Sequence, residues 1–153
     1  MNNIVIYTDL DGSLLDLYSY SHAAADALLQ EMVAQGIPVI PASSKTRAEL
    51  LQLRHELDNQ HPFIVENGAA VFIPAGYFST QPAETESRDG CWVKYFSLPR
   101  SHWLQKIDAI AADFPGDFDN FASLDIESIA ALTGLDPAAA QRAASREFGE
   151  PVH

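Results

Sequence analysis

Ile4-Val5-Ile6-Tyr7-Thr8-Asp9-Leu10-Asp11-Gly12-Ser13 is the stretch that decides the fold. An apolar run of strand length ends in two carboxylates at alternate positions and then a glycine turn. The run is nearly all apolar, which predicts a strand covered on both faces, as in a parallel sheet. Residues two apart in extended backbone point to the same side, so Asp9 and Asp11 are expected to converge beyond the strand tip. Open α/β sheets place their ligands at that edge. Two carboxylates held close together repel each other unless a shared proton or a cation lies between them, and oxygen ligands suit a divalent metal. Asp and Gly are also ordinary turn residues, so the pattern taken alone is better explained as a polar turn.

Working outward, Ser13 to Tyr20 reads as a short apolar and aromatic flap. Ser21 is expected to cap a helix running to Gln35, with Leu28, Leu29, Met32 and Val33 on its buried face and Gly36 ending it. Ile37-Pro38-Val39-Ile40-Pro41 predicts a second short strand whose prolines limit its pairing. Thr46-Arg47-Ala48-Glu49 is a capping-box pattern, and Leu50, Leu53 and Leu57 follow at helical spacing. Phe63-Ile64-Val65 predicts a third strand ending at Glu66-Asn67-Gly68, and Ala70 to Ile73 continues extended. Strands alternating with helices predict an α/β chain with a right-handed parallel sheet.

Residues Pro74 to Gly90 carry Pro, Gly, Ser and Thr without periodicity and read as a linker or long loop. Cys91 to Phe96 predicts a strand. Ser101 is expected to cap a helix bearing Trp103, Leu104, Ile107, Ile110 and Phe114. A shorter helix is expected near Asp125 to Thr133, stopped by Gly134, and another from Asp136-Pro137.

The composition is globular: 153 residues, 47% hydrophobic and 20% charged. A net charge of −12 argues against a nucleic-acid partner, whose backbone recruits clustered Lys and Arg. It leaves room for a small anionic substrate, because a bound metal reverses the local field. Cys91 is the one cysteine, which excludes an intrachain disulfide and fits a reducing compartment. No apolar run approaches the roughly 20 residues that span a bilayer, and the N-terminus lacks a signal-peptide layout. The expectation is a soluble, cytoplasmic chain with no membrane partner; its oligomeric state cannot be read from sequence.

The second candidate site is Ala42-Ser43-Ser44-Lys45-Thr46. Hydroxyls, backbone N–H groups at a helix start and one lysine together make a phosphate cradle. Thr46 is better explained as the helix cap, whereas parallel order would set Ser43 beside Asp9. Asn67 and Gly68, at the third strand tip, read as an ordinary turn when taken alone.

Asp9-Leu10-Asp11-Gly12-Ser13-Leu14-Leu15 resembles the first motif of the haloacid dehalogenase-like phosphohydrolase superfamily, and Ser43 stands where its second motif has Ser or Thr. Ser43 to Glu49, Glu66-Asn67-Gly68-Ala69, Leu132-Thr133-Gly134-Leu135 and Arg146 to Pro151 resemble the mannosyl-3-phosphoglycerate phosphatase branch. The resemblance implies a Rossmann-like core over residues 1–74 and a partial cap over residues 75–153. It implies Asp9 as nucleophile, Asp11 as general acid and base, and Mg²⁺ held by the Asp9 carboxylate and the Asp11 backbone carbonyl. Substrate contacts would come from Ser43, Ser44, Lys45, Asn67 and Gly68, with Arg142, Arg146 and Glu147 contributing from the cap. The implied substrate is a small phosphorylated sugar or glycerate.

Two parts of the superfamily pattern lack a match: a lysine that steadies the phosphoryl charge, and a late acidic metal motif. Gly116-Asp117-Phe118-Asp119-Asn120, with Lys106 upstream, only imitates them, since no apolar strand precedes Gly116. The expectation is therefore the N-terminal portion of a longer enzyme, weakly active or inactive alone, with apolar surface and a strand edge exposed. The alternatives are another sugar-phosphate phosphatase of the superfamily and a non-catalytic remnant or interaction module.

Overall fold

β1 (Ile6–Thr8) and β2 (Val39–Pro41) run parallel in the computed structural model, which describes residues 4–153. Ile6 N donates to the Pro38 carbonyl at 2.9 Å, and Ala42 N donates to the Thr8 carbonyl at 2.8 Å. Pro38 and Pro41 have no N–H to give. β2 accordingly meets β3 (Phe63–Val65) through an isolated parallel bridge, Ala42 to Ile64. α1 (Asp26–Ala34) and α2 (Arg47–Glu56) connect the three strands, so the α/β architecture expected from the alternation is present.

After β3 the chain turns through Glu66–Gly68 and returns antiparallel as β4 (Ala70–Pro74). β6 (Cys91–Tyr95) pairs antiparallel with the other side of β4, and β5 (Glu86–Arg88) closes that sheet in the order β3-β4-β6-β5. The stretch expected to be a linker thus contains a strand. Arg88 sits opposite Cys91, leaving Asp89-Gly90 as a two-residue turn with φ of 48° and 75°. Two left-handed residues make the turn whose twist matches a hairpin, and Asp-Gly is its preferred sequence. Glu86-Ser87-Arg88 lacks the apolar alternation that marks a strand, so pairing rather than burial makes it one.

Phe63 and Phe72 stack at 5.2 Å between ring centres in the core, with Leu10, Leu50, Val65 and Val93 fully buried around them. Leu50 and Leu53 bring α2 onto the sheet as its periodicity requires. The α1 expectation needs correction. The helix begins at Asp26 rather than Ser21, whose hydroxyl instead accepts from Ala23 N, and none of its residues is buried. Leu28 and Val33 are exposed, Val33 by 71%. The covering expected for β1 is missing in the same way: Ile4, Val5 and Tyr7 are exposed rather than covered on both faces. Both follow from one cause. Among the described residues β1 pairs only with β2, so no strand lies beyond it and no layer covers the outer face of α1.

α3 (Arg100–Ala111) starts after Pro99 with no side-chain cap, so Ser101 does not serve as one, and its apolar residues Trp103 and Ile110 remain exposed. α4 (Ile126–Thr133) and α5 (Pro137–Ala144) begin as expected. Asp125 accepts from Ser128 N and Asp136 from Ala139 N, each at 2.8 Å. Gly134 ends α4 at φ 73°. No helix among the described residues is long and apolar enough to cross a membrane.

α5 packs on α2 through the α2 cap. The fully buried Thr46 hydroxyl accepts from Glu49 N at 3.2 Å and donates to the Arg142 carbonyl at 2.8 Å, while Thr46 N donates to Glu49 Oε2. Thr46→Val keeps the shape and loses both bonds. It is expected to destabilise the chain by about 2 kcal/mol, read as a lower urea midpoint at unchanged slope. Thr46→Ser is expected to recover most of that.

Arg54 lies buried against Phe63, with its guanidinium carbon 4.4 Å from the ring centre and Nη2 donating to the His61 carbonyl at 2.8 Å. Burial, and secondarily the Arg54 charge, push the His61 imidazole below its ordinary value. The folded state therefore binds fewer protons than the unfolded one as pH falls through the ordinary value, about 6.5. His61 contributes stability above that pH and loses it on acidification through the depressed value. Thermal melts from about pH 7 down to about pH 5 are expected to fall less steeply for His61→Gln than for the parent chain. Parallel curves would show that His61 does not carry the effect.

Candidate active site

The tips of three neighbouring strands assemble the site. Asp9 follows β1 directly, and its Oδ1 accepts from Leu10 N at 2.7 Å. The chain then reverses in a tight turn: Ser13 N and Leu15 N both donate to the Leu10 carbonyl, and Gly12 takes φ 73°, where a side chain is disfavoured. The turn returns Leu15 to the core and leaves Asp11 partly buried.

Ser43, one residue past the β2–β3 bridge, is buried, and its hydroxyl accepts from Lys45 N at 3.2 Å. Ser43 N donates to the Ile64 carbonyl, and the Ser43 carbonyl accepts from Asn67 N at 3.0 Å. Glu66 N donates to the Lys45 carbonyl, also at 3.0 Å. The loops after β2 and β3 are thereby laced together. The lacing requires left-handed backbone at Glu66 and Asn67, with φ of 47° and 61°, a conformation that is uncommon without glycine.

Asp9, Ser43, Ser44, Asn67 and Gly68 line one cleft of about 310 Å³. Asp11 and Lys45 do not line it: Asp11 Oδ1 lies 3.0 Å from Lys45 Nζ, and Lys45 borders a neighbouring groove. Among the described residues that buried oxygen has no hydrogen bond, so Lys45 holds it by charge without hydrogen-bond geometry. A buried carboxylate oxygen lacking a donor is available to a cation or a substrate proton.

The remaining candidates lie elsewhere. Arg142 borders a neighbouring groove rather than the cleft. Arg146 and Glu147 are occupied in binding the C-terminal segment to the sheet. Arg146 Nη2 lies 3.5 Å from the Glu66 carboxylate and donates to the Ser44 carbonyl at 3.3 Å. Glu147 takes a 2.5 Å ion pair from Arg88, which raises the Arg88 guanidinium further above its ordinary value. Asp117 and Asp119 join no cluster, since no group of three or more His, Cys, Asp or Glu suited to a metal exists among the described residues.

Glu66 is the functional-segment residue that sequence reasoning passed over. Its carboxylate is buried and accepts from the backbone N–H groups of Glu147, Phe148 and Gly149 at 2.8, 3.1 and 2.7 Å. Nothing in the local sequence distinguishes such an acid from a solvated turn residue. Its partners lie more than eighty positions away.

A family profile for haloacid dehalogenase-like hydrolases matches residues 6–87. The chain belongs to that family. Curated relatives named glucosyl-3-phosphoglycerate/mannosyl-3-phosphoglycerate phosphatase are similar along nearly its whole length. The relative from Methanococcoides burtonii is 37% identical over 95% of the chain, and that from Persephonella marina 37% over 97%. The chain spans about half of these relatives, 54% of each. A solved phosphatase of the superfamily from Bacteroides thetaiotaomicron shares the fold over 86% of this chain and 47% of its own, at a TM-score of 0.54 and 21% identity.

Proposed function

We propose that this chain carries the nucleophile and the acid–base group of a phosphomonoesterase acting on a glycosyl-3-phosphoglycerate. The reading rests on one observation above all: Asp9 and the buried Ser43 occupy adjacent parallel strand tips in one cleft, and the residues two positions after each, Asp11 and Lys45, form an ion pair. The names and 37% identity of the curated relatives support the substrate class.

In this reading an Asp9 carboxylate oxygen bonds to phosphorus as the ester oxygen departs, and Asp11 gives that oxygen its proton. Asp11, now ionised, then takes a proton from water as the water oxygen attacks phosphorus and the bond from phosphorus to Asp9 breaks, restoring the Asp9 carboxylate and the protonated Asp11. Ser43 Oγ and the Ser44 N–H supply donors to the phosphoryl oxygens. Mg²⁺ fits this donor set, because that ion is commonly bound through one or two carboxylates together with substrate phosphate and waters. The Asp9 carboxylate and the Asp11 backbone carbonyl would hold it, and it would neutralise the repulsion between carboxylate and phosphate dianion. Residues 75–153 would act as part of a cover over the sugar and glycerate portions.

The test is beryllofluoride, which mimics a phosphoryl group on a carboxylate. Saturable binding that requires both Mg²⁺ and Asp9, followed by ¹⁹F NMR, is the expected result. A folded sample that binds neither would leave the chain a non-catalytic member of its family.

A further inference from the structure

We propose that the cavity between α1 and α2 binds a small carboxylate with a short apolar tail, acetate or propionate in size, and that Arg54 holds its charge. The cavity shares no lining residue with the Asp9 cleft, so the inference stands apart from the phosphatase reading.

The charge is the first observation. Arg54 is only 9% exposed. One face of its guanidinium lies on the Phe63 ring, and Nη2 donates to the His61 carbonyl. Its Nε is buried and meets no acceptor among the described residues. No carboxylate among them answers the charge either, because Arg54 is in none of the ion pairs. Asp58, also on the cavity wall, is exposed and accepts from Gln60 Nε2 at 3.2 Å instead. A buried cation without a counter-ion is costly, and an unmet donor adds to the cost. Burial holds the Arg54 guanidinium below its ordinary value, and burial together with the Arg54 charge does the same to the His61 imidazole.

The walls set the rest of the ligand. α1 gives Leu29 and Val33, β2 gives Val39, and α2 gives Leu53, with Leu57 just after it. Val33 is exposed, so the cavity opens to solvent there. Asn59 is already used: its Nδ2 donates to the Val39 carbonyl at 2.9 Å, and its Oδ1 accepts from His61 N at 3.0 Å. Arg54 is thus a polar anchor on a mostly apolar wall, as small-molecule sites are built. The cavity measures about 40 Å³, room for about three water-sized groups. Acetate and propionate suit that space, and a phosphorylated sugar does not. Water could accept from Nε but could not neutralise the cation, whereas a carboxylate does both through a charge-assisted hydrogen bond. The ligand would also touch α1, which buries no residue of its own, and fasten it to α2.

The test follows the Arg54 Nε–H signal of the full 153-residue chain by ¹H–¹⁵N NMR during titration with sodium propionate. A saturable shift is expected, with a Kd on the order of a few millimolar. Propionamide, and sodium chloride at equal ionic strength, should leave the signal in place. In the propionate-bound chain the His61 imidazole should titrate at higher pH, and the amides of α1 should exchange more slowly. Leu29→Phe fills the cavity without touching the charge, and should weaken binding at least about tenfold while the Arg54 signal persists. Arg54→Met should abolish saturation transfer to the propionate methyl group. An unmoved Arg54 signal, an equal response to propionamide or chloride, or affinity indifferent to Leu29→Phe would overturn the proposal.

Discussion

Asp9→Asn is expected to abolish Mg²⁺-dependent beryllofluoride binding and to reduce phosphoester turnover in the complete enzyme by at least about a thousandfold, on the order of 4 kcal/mol in barrier. The carboxamide keeps the size of the side chain and the oxygen that accepts from Leu10 N. It removes the charge needed to hold a cation and the second oxygen needed to form a bond to phosphorus. Because Asp9 is exposed, the substitution should leave stability within about 0.5 kcal/mol of the parent, so loss of binding cannot be ascribed to unfolding. Matched thermal melts and ¹⁹F titrations check both halves. Retained adduct formation in Asp9→Asn would remove Asp9 as nucleophile.

Glu66→Ala is expected to be the most destabilising single change, costing about 3–5 kcal/mol. The carboxylate satisfies three consecutive backbone N–H groups in the segment Glu147 to Gly149 and faces Arg146. Truncation leaves three donors and a cation without their acceptor in a region where Phe148 is buried. For a chain of this size the melting temperature should fall by on the order of 10 °C. Hydrogen exchange adds a local signature: the amides of Glu147, Phe148 and Gly149 should lose protection before those of β3 and β4. Glu66→Gln keeps one acceptor oxygen but points an N–H₂ group at the remaining donors, so an intermediate loss is expected. A melting temperature within about 2 °C of the parent for Glu66→Ala would mean that the segment is held chiefly by Arg88–Glu147 and Arg100–Glu150.

The two effects separate what each acid does. Asp9 is a small perturbation of the fold and a complete loss of the proposed chemistry; Glu66 is the reverse. The loop that carries Glu66 also carries Asn67 and Gly68 into the cleft, so the C-terminal segment and the site share one support.

Local patterns were legible wherever local physics decides the outcome. The Thr46–Glu49 capping box, the αL stop at Gly134 and the Asp136-Pro137 start each involve groups within a few residues of one another. The same holds for Asp9 and Asp11 at a strand tip. Amphipathic pattern misled where the covering layer mattered: Leu28 and Val33 have helical apolar spacing, yet among the described residues α1 has no partner on that side. The Glu86–Arg88 strand was hidden because its neighbours in β6, not its own side chains, determine it. Arg146 and Glu147 looked like surface charges available to a ligand, and the structure instead uses them as ion-pair partners of Glu66 and Arg88.

By itself the sequence determined the class of fold, the family and the Asp9-x-Asp11 pair at a strand tip, because these depend on periodicity, turn chemistry and short spacing. Only the tertiary structure decided that Ser43, Asn67 and Gly68 join Asp9 in one cleft and that Lys45 links Asp11 to Tyr20. It alone showed that Glu66 is a buried lock rather than a turn. Those contacts join residues far apart in the chain, and their free energy comes from burial and charge pairing that exist only after the sheet has formed.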